Sequence, residues 1–242
     1  MQKLLFWGLL PFIMPQAVYV RKTAPRFAGA GGPNTGVAGK GKPFHLVAVG
    51  DSIIAGVGAG QLADALVGQT ALTLSQMLDA RVSWDAVGKI GITTRGVVDR
   101  LVPRLPDRNA DFILLSAGVN DVTALNRVST WRKHLSCLIE RLKNRYPEAV
   151  IAVAGIPPLS GFPLLPQPMR AVFGIRGRLF DTAARDEISR HRHTVYVPLE
   201  FEPDPENFSS DGFHPSEDSY RLFGELAASH IIEEFNSKER VK

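Results

Sequence analysis

The chain has 242 residues, of which 45% are hydrophobic and 21% are charged, and this is enough apolar sequence for one sizeable core. Its formal net charge is +4, and no block of basic residues is interleaved with aromatic ones, so nothing favours a nucleic-acid-binding protein. Cys137 is the only cysteine, which excludes an intrachain disulfide.

An apolar stretch from Leu4 to Val20 opens the chain and is interrupted by glycine and proline. Arg21 and Lys22 follow it, whereas a secretory signal carries its positive charge in front of the apolar run. We therefore expect residues 1–22 to be a membrane-associated segment, with the following domain on the cytoplasmic face. A signal that leads to a periplasmic or secreted domain is the alternative.

A glycine-rich stretch without apolar periodicity comes next, and residues 23–43 are predicted to be a flexible linker. From residue 44, short apolar runs alternate with helical patterns as far as residue 236. This alternation predicts one domain over residues 44–236, followed by a C-terminal tail over residues 237–242.

Five short runs rich in Val, Ile and Leu predict strands that are buried on both faces. They are His45–Val49, Val82–Ala86, Phe112–Ser116, Val150–Ala154 and Val195–Pro198. Helical periodicity predicts helices over Asp64–Leu78, Thr94–Leu101, Ser129–Asn144, Met169–Arg192 and Ser216–Asn236. We expect the fourth helix to break near Gly174 or Gly177. The alternation predicts an α/β fold with a mostly parallel five-stranded sheet and helices on both faces.

The first predicted strand ends abruptly at Gly50, and Asp51 and Ser52 follow it directly. A serine in this place lies at the carboxyl edge of the sheet, where open α/β sheets bind their ligands. Serine is also common in ordinary turns. Ser52 is therefore a candidate nucleophile only if the chain supplies a base, a group that orients the base, and donors for an oxyanion.

Three later stretches offer those groups. Gly88 and Gly91 follow the second predicted strand, and glycine lets a backbone N–H come close to a ligand oxygen. Asn120 follows the third strand and has an amide that can donate to an oxyanion, although an Asx turn or a helix cap would also explain it. Asp211 precedes His214 by three residues, so in a tight turn its carboxylate can reach the imidazole.

Taken in chain order, these stretches resemble four sequence blocks of the SGNH (GDSL-type) hydrolase superfamily, over residues 44–235. The matching residues are Gly50-Asp51-Ser52 with Gly56, then Gly91, then Gly118-Val119-Asn120-Asp121, and finally Asp211-Gly212-Phe213-His214. The second block often carries an asparagine before its glycine, and this chain has Asp85-Ala86-Val87-Gly88 there, so Gly88 is the alternative to Gly91.

The resemblance is to bacterial-looking esterases and lysophospholipase-like members, and it implies a three-layer, flavodoxin-like α/β/α fold. It also implies a serine hydrolase of acyl esters in which Ser52 attacks the carbonyl, His214 takes and returns the proton, and Asp211 orients His214. The backbone N–H groups of Ser52 and Gly91 and the amide of Asn120 are then expected to hold the oxyanion.

An apolar, proline-rich stretch over residues 156–168 follows the fourth predicted strand. We expect it to form a lip over the site, with Phe162, Leu164 and Leu165 available to an acyl chain, or else to pack on the sheet. Substrates are then small or lipid-like acyl esters, and the N-terminal segment supplies contact with a membrane surface. Acyl transfer and thioester hydrolysis by the same site are open alternatives.

Two other functions are less consistent with the sequence. Residues 58–63 match the G-x-G-x-x-A pattern of dinucleotide-binding proteins, but they begin too far from the strand for a tight turn. An inactive binding scaffold is disfavoured because all three candidate triad residues are present. Neither a cofactor nor a metal is expected, since His134 with Cys137, and His191 with His193, supply too few ligands for zinc.

Overall fold

The computed structural model describes residues 2–25, 27–199 and 204–241. Within these ranges six strands form one sheet, in the order β1-β3-β2-β4-β5-β6. The strands are β1 (Thr35–Ala38), β2 (Lys42–Gly50), β3 (Ala80–Gly88), β4 (Phe112–Ser116), β5 (Val150–Ala154) and β6 (Thr194–Val197). The sheet is parallel except for β1, which runs antiparallel to β3.

Helices cover both faces of this sheet. They are α1 (Gln2–Thr23), α2 (Leu66–Leu78), α3 (Thr94–Gly96), α4 (Val119–Thr123), α5 (Val128–Arg145), α6 (Met169–Ile188) and α7 (Glu217–Val241). One apolar core lies between the sheet and α1, α5 and α6, and the other lies between the sheet and α2 and α7. The predicted three-layer α/β/α fold is confirmed, with six strands instead of five.

The central strand β2 shows why these segments form a parallel sheet. Val47 and Val49 enter one core, whereas Leu46 and Ala48 enter the other, and all four side chains are fully buried. Strands covered on both faces must be apolar at every position, which explains the continuous apolar runs in the sequence.

The ends of three neighbouring strands are aligned at one edge of the sheet. Gly50 of β2 pairs with Gly88 of β3 and with Ser116 of β4. The segments that follow these strands therefore start side by side, and they are the segments that carry Ser52 and Asn120. This alignment brings the segments that carry the candidate site residues to one edge of the sheet.

Strand β1 was not predicted, because it lies inside the stretch expected to be a flexible linker. It is four residues long and contains Gly36, which lies against the indole ring of Trp84. A side chain at Gly36 would collide with that ring, so close packing explains the glycine. A pattern this short shows no alternation, yet the strand covers the edge of β3 that would otherwise be unpaired.

Helix α1 packs on α6, and this corrects the expectation for the N-terminal segment. Phe6 and Ile13 are each 1% exposed, and the ring of Phe6 meets that of Phe173 edge-on at 6.3 Å. No helix in the described part of the chain is long and apolar enough to cross a membrane. The prediction of a membrane-associated segment with the domain on the cytoplasmic face is wrong, because α1 is not an apolar anchor: Phe6 and Ile13 pack against the protein, whereas Phe12 and Tyr19 on the other side of the helix are exposed.

Helix α6 is continuous, contrary to the prediction of a break near Gly174 or Gly177. A Cβ at Gly174 would lie 2.6 Å from that of Ser160, and one at Gly177 would lie 3.4 Å from Cγ of Leu159. The two glycines therefore allow a loop to approach the helix closely, which is a packing role.

Helix α7 continues beyond residue 236 as far as Val241, so the described part of the predicted tail is helical. The ammonium of Lys238 lies 3.0 Å from a carboxylate oxygen of Glu148, which holds this end of the helix on the domain. Met1 and Lys242, the outermost residues of the predicted N-terminal segment and tail, lie outside the described residues.

Candidate active site

Ser52, His214 and Asp211 form a continuous chain of hydrogen bonds. Oγ of Ser52 is 2.9 Å from Nε2 of His214, and Nδ1 of His214 is 2.6 Å from Oδ2 of Asp211. An ionised carboxylate can only accept, so the proton of the neutral imidazole is assigned to Nδ1. Nε2 is then free to accept a hydrogen bond from the Ser52 hydroxyl.

The Asp211 carboxylate is buried and strongly hydrogen-bonded. Its Oδ1 accepts from Oγ of Ser209 at 2.9 Å and from the backbone nitrogens of Phe213 and His214, each at 2.8 Å. Burial raises the pKa of Asp211, but the hydrogen bonds from the side chain and backbone of His214 outweigh it and lower the pKa to about 2. Asp211 is therefore ionised whenever the protein is near neutral pH.

The loop that carries His214 is anchored to the loop that carries Ser52. The backbone nitrogen of Ser209 donates to the carbonyl of His214 at 2.8 Å and closes the turn that holds Asp211. In α7, which follows, the hydroxyl of Tyr220 donates to the carbonyl of Val57 at 2.6 Å. These two contacts help to fix the position of His214 relative to Ser52.

Three N–H donors near the aligned strand ends have no acceptor among the described residues. They are the backbone N–H groups of Ser52 and Gly91 and the side-chain amide of Asn120. An N–H group without a protein acceptor is available to a ligand, and such groups are suited to bind a developing oxyanion.

Gly88 and Gly91 occupy different environments. A side chain at Gly88 would collide with the backbone of Ala55, so this glycine is required for packing between the strand end and the Ser52 loop. Gly91 has φ of +71° and no atom within 4 Å of its Cβ position. Gly91 therefore lies in an exposed turn and borders open space.

Asp51, next to the nucleophile, is buried and bonded away from the triad. Its Oδ1 accepts from Oγ of Ser116 at 2.9 Å. Burial raises the pKa of Asp51 to about 6, although the hydrogen bond from Ser116 acts to lower it. Asp51 thus ties the turn after β2 to the end of β4.

An apolar pocket adjoins Ser52 and His214. Its walls include Ile156, Pro157, Phe162, Phe208, Phe213 and Phe223. The ring of Phe162 meets those of Phe208 and Phe213 edge-on, at 5.2 and 5.0 Å. The polar residues Asp51 and Ser116 also line the pocket, but they hydrogen-bond each other.

The expected acyl-binding residues do not all reach this pocket. Phe162 lines it, whereas Leu165 is buried in the core between the sheet and α6. Leu164 is not in the described pocket wall, and its backbone N–H donates to the carbonyl of Gly212 at 3.0 Å, which ties this loop to the Asp211–His214 turn. The sequence analysis did not single out Phe213 as a pocket residue. Its place next to His214 in the Asp-x-x-His block was the signal that could have indicated it.

Two sequence comparisons identify relatives of this chain. Residues 48–222 match the model of the GDSL-like lipase/acylhydrolase family. A GDSL-like esterase of Mycobacterium tuberculosis is 30% identical over 244 residues, and the match covers 91% of this chain and 76% of that protein.

Solved structures share the fold at lower identity. The lipase/acylhydrolase from Enterococcus faecalis superposes with a TM-score of 0.58 at 22% identity, over 78% of this chain and 95% of that one. A family 3 carbohydrate esterase of Clostridium thermocellum gives 0.62 at 17% identity, over 81% and 99%. A lipase from a goat rumen metagenome gives 0.60 at 19% identity, over 77% and 98%.

The family match begins within β2 and ends within α7, so it includes all four sequence blocks and the loops that carry them. This chain therefore belongs to the GDSL-like lipase/acylhydrolase family and is a hydrolase that acts on ester bonds.

Proposed function

We propose that this protein hydrolyses short, uncharged acyl esters, with Ser52 as the nucleophile, His214 as the base and Asp211 as the residue that orients the base. The observation that carries the proposal is the unbroken chain of hydrogen bonds from Asp211 through His214 to Ser52, at 2.6 and 2.9 Å. A nucleophile that contacts a base, which in turn contacts an orienting carboxylate, is the arrangement that acyl transfer requires.

In the first half of the reaction, Oγ of Ser52 attacks the acyl carbonyl and its proton passes to Nε2 of His214. The imidazolium that forms is stabilised by Asp211, whose pKa of about 2 keeps it negatively charged. When the tetrahedral intermediate collapses, His214 gives the proton to the departing alcohol, and an acyl-enzyme remains on Ser52.

In the second half, water attacks the acyl-enzyme and gives its proton to Nε2 of His214. Collapse of this second intermediate releases the carboxylic acid and returns the proton to Oγ of Ser52. In both halves the negative charge on the carbonyl oxygen is held by the N–H groups of Ser52 and Gly91 and by the amide of Asn120. The loss of one such donor typically costs about 2.7–4 kcal/mol of transition-state stabilisation.

The pocket supports the substrate class. Its walls are mainly aromatic and aliphatic, and no Lys or Arg is among the described residues that line it, so the wall offers no permanent positive charge to an anionic acyl group. The ring of Phe162 contacts those of Phe208 and Phe213 in the pocket wall, and the three rings restrict the size of the pocket. A short aliphatic acyl chain fits this combination of polarity and shape.

The direct test compares Ser52→Ala with the wild type on p-nitrophenyl acetate and butyrate. Ser229→Ala is the matched control, because Ser229 is a partly buried serine of α7 that does not line the pocket, and its hydroxyl donates to the carbonyl of Glu225 in the same helix. We expect Ser52→Ala to lower kcat by about 10³-fold or more, and Ser229→Ala to leave it unchanged. Equal activity of Ser52→Ala and the wild type would overturn the proposal.

A further inference from the structure

Arg176 of α6 is a buried cation without a carboxylate partner among the residues that the structure describes. It is only 3% exposed. Its Nε donates to the carbonyl of Val122 at 3.0 Å, and its Nη2 donates to the carbonyl of Asn126. A buried charge without a counter-ion is costly to a fold, so its partners indicate what the charge is there to hold.

Val122 lies at the C-terminal end of α4, the short helix that carries Asn120, and Asn126 lies in the turn three residues after the end of that helix. This helix has five residues and follows directly on Gly118. A helix of this length is not stable by itself, since it makes very few internal hydrogen bonds. Cations are favoured at helix C-termini, where carbonyl groups carry partial negative charge. The Arg176 guanidinium is therefore one of the outside contacts that stabilise α4, and it acts at the end of the helix opposite to Gly118.

Aromatic rings hold the guanidinium in place. It lies 4.7 Å from the ring centroid of Phe6 in α1 and 5.1 Å from that of Phe180 in α6. Burial lowers the pKa of Arg176 to about 10, so the group stays charged near neutral pH. Arg176, Phe6 and Phe180 together form a clamp between α1 and α6, and the guanidinium of this clamp binds the C-terminal end of α4.

We propose that Arg176 is a positioning residue for ester hydrolysis, which holds α4 so that the Asn120 amide points to the oxyanion. The inference rests on the proposed function, in which Asn120 is an oxyanion donor. Arg176 contacts neither Ser52 nor His214, so its whole effect on catalysis passes through α4. A donor displaced by about 1 Å can lose much of its effect, with up to about 100-fold in rate.

The test is a double-mutant cycle with Arg176→Met and Asn120→Ala, measured as kcat and KM on p-nitrophenyl acetate. We expect Arg176→Met alone to lower kcat about 10- to 100-fold and to change KM less than about threefold. In the Asn120→Ala background the same substitution is expected to change kcat less than about twofold, because the donor that Arg176 positions is already absent.

Two further variants keep the test decisive. Arg176→Lys retains the buried charge but reaches fewer carbonyls, so we expect an intermediate kcat, and this variant replaces Arg176→Met if the latter does not fold. Arg178→Met is the matched control, because Arg178 is an exposed arginine two positions further along the same helix. We expect Arg178→Met to leave kcat unchanged.

Three outcomes would overturn the inference. The first is wild-type kcat in folded Arg176→Met, or in folded Arg176→Lys where only that variant folds. The second is an equally large loss with and without Asn120, which makes Arg176 a general stability residue. The third is wild-type kcat in Asn120→Ala, which removes the donor role of Asn120. The nucleophile assignment is tested separately by Ser52→Ala, so failure of the clamp and failure of the proposed function are distinguishable.

Discussion

The Asp121 carboxylate accepts two hydrogen bonds from Thr94, one from its backbone nitrogen and one from Oγ1, each at 2.8 Å. Asp121 and Thr94 are fully buried, and Oγ1 of Thr94 also accepts from Nε1 of Trp131 at 2.9 Å. Asp121 adjoins Asn120, and Thr94 follows Gly91 by three residues. This contact therefore fixes two of the proposed oxyanion donors relative to each other.

Thr94→Val tests this contact, because valine keeps the shape of threonine and removes the hydroxyl. The change deletes a hydrogen bond to a charged group and leaves the Trp131 N–H without its acceptor, at a cost of about 2–4 kcal/mol. We expect the melting temperature to fall by about 5–10 °C. We also expect kcat to fall about tenfold, since the donors shift. Thr94→Ser keeps the hydroxyl and is expected to stay close to the wild type. Equal behaviour of the two variants would contradict this account.

Alanine substitutions at Gly91 and Gly88 distinguish the two candidate oxyanion glycines. At Gly88 a methyl group collides with the backbone of Ala55, so we expect Gly88→Ala to unfold or to lose much of its thermal stability. At Gly91 there is space for the methyl group, but φ of +71° is strained for alanine by about 1–2 kcal/mol, and relief of this strain moves the N–H. We expect Gly91→Ala to fold with kcat reduced at least about tenfold. Wild-type kcat in this variant would exclude Gly91 as a donor.

The buried carboxyl group of Asp51 is expected to make the free energy of unfolding depend on pH. Its pKa is raised from 3.8 to about 6 by burial, so the folded state binds this proton more tightly than the unfolded state does. The stability that it contributes is therefore complete below about pH 4 and is lost as the pH rises through about 6. Two pKa units correspond to at most about 3 kcal/mol.

Asp51→Asn is the variant that isolates this effect, because the amide oxygen can still accept from Ser116 and the charge is gone. We expect the melting temperature of the variant, relative to that of the wild type at the same pH, to rise between about pH 4 and about pH 7. Asp211 has a pKa of about 2, so its contribution is lost only at more acidic pH, and it is common to both proteins. A difference in melting temperature that stays constant over this range would refute the burial argument.

Phe162→Ala tests the assignment of the acyl pocket. Removal of the ring opens the wall beside Phe208 and Phe213, and we expect the preference among p-nitrophenyl esters to move from acetate and butyrate towards longer chains by about tenfold in kcat/KM. Leu164→Ala changes the same loop away from the pocket and is expected to leave the preference unchanged. Should Leu164→Ala shift the preference as much as Phe162→Ala does, the acyl chain lies elsewhere.

The parallel strands could be predicted from the sequence because a strand that is buried on both faces must be apolar at nearly every position. Phe112–Ser116 and Val150–Ala154 begin and end at the predicted residues. The helix predicted over Thr94–Leu101 is only partly regular: three helical residues are followed by a wider turn over Val97–Leu101. Apolar spacing shows which side of a segment is buried, but it does not distinguish such turns from a regular helix.

The contact between Asp211 and His214 was predictable because the two residues lie in one turn. The approach of Ser52 to His214 spans 162 positions, and only the resemblance to the four sequence blocks predicted it. The pocket wall was not predictable, because Ile156, Phe208 and Phe223 come from three separated segments that only the fold brings together. Within an irregular loop there is no fixed period, so the sequence could not distinguish Phe162, which reaches the pocket, from Leu164.

Ser52 and His214 are separated by 162 positions along the chain, and the strands β3, β4, β5 and β6 lie between them in the sequence. During synthesis Ser52 leaves the ribosome long before His214, so the hydroxyl has no proton acceptor until the last helix docks. Contacts of such long sequence separation form late and slowly during folding. We therefore expect esterase activity to recover more slowly during refolding than the far-ultraviolet circular dichroism of the helices, because activity requires contact between two distant parts of the chain.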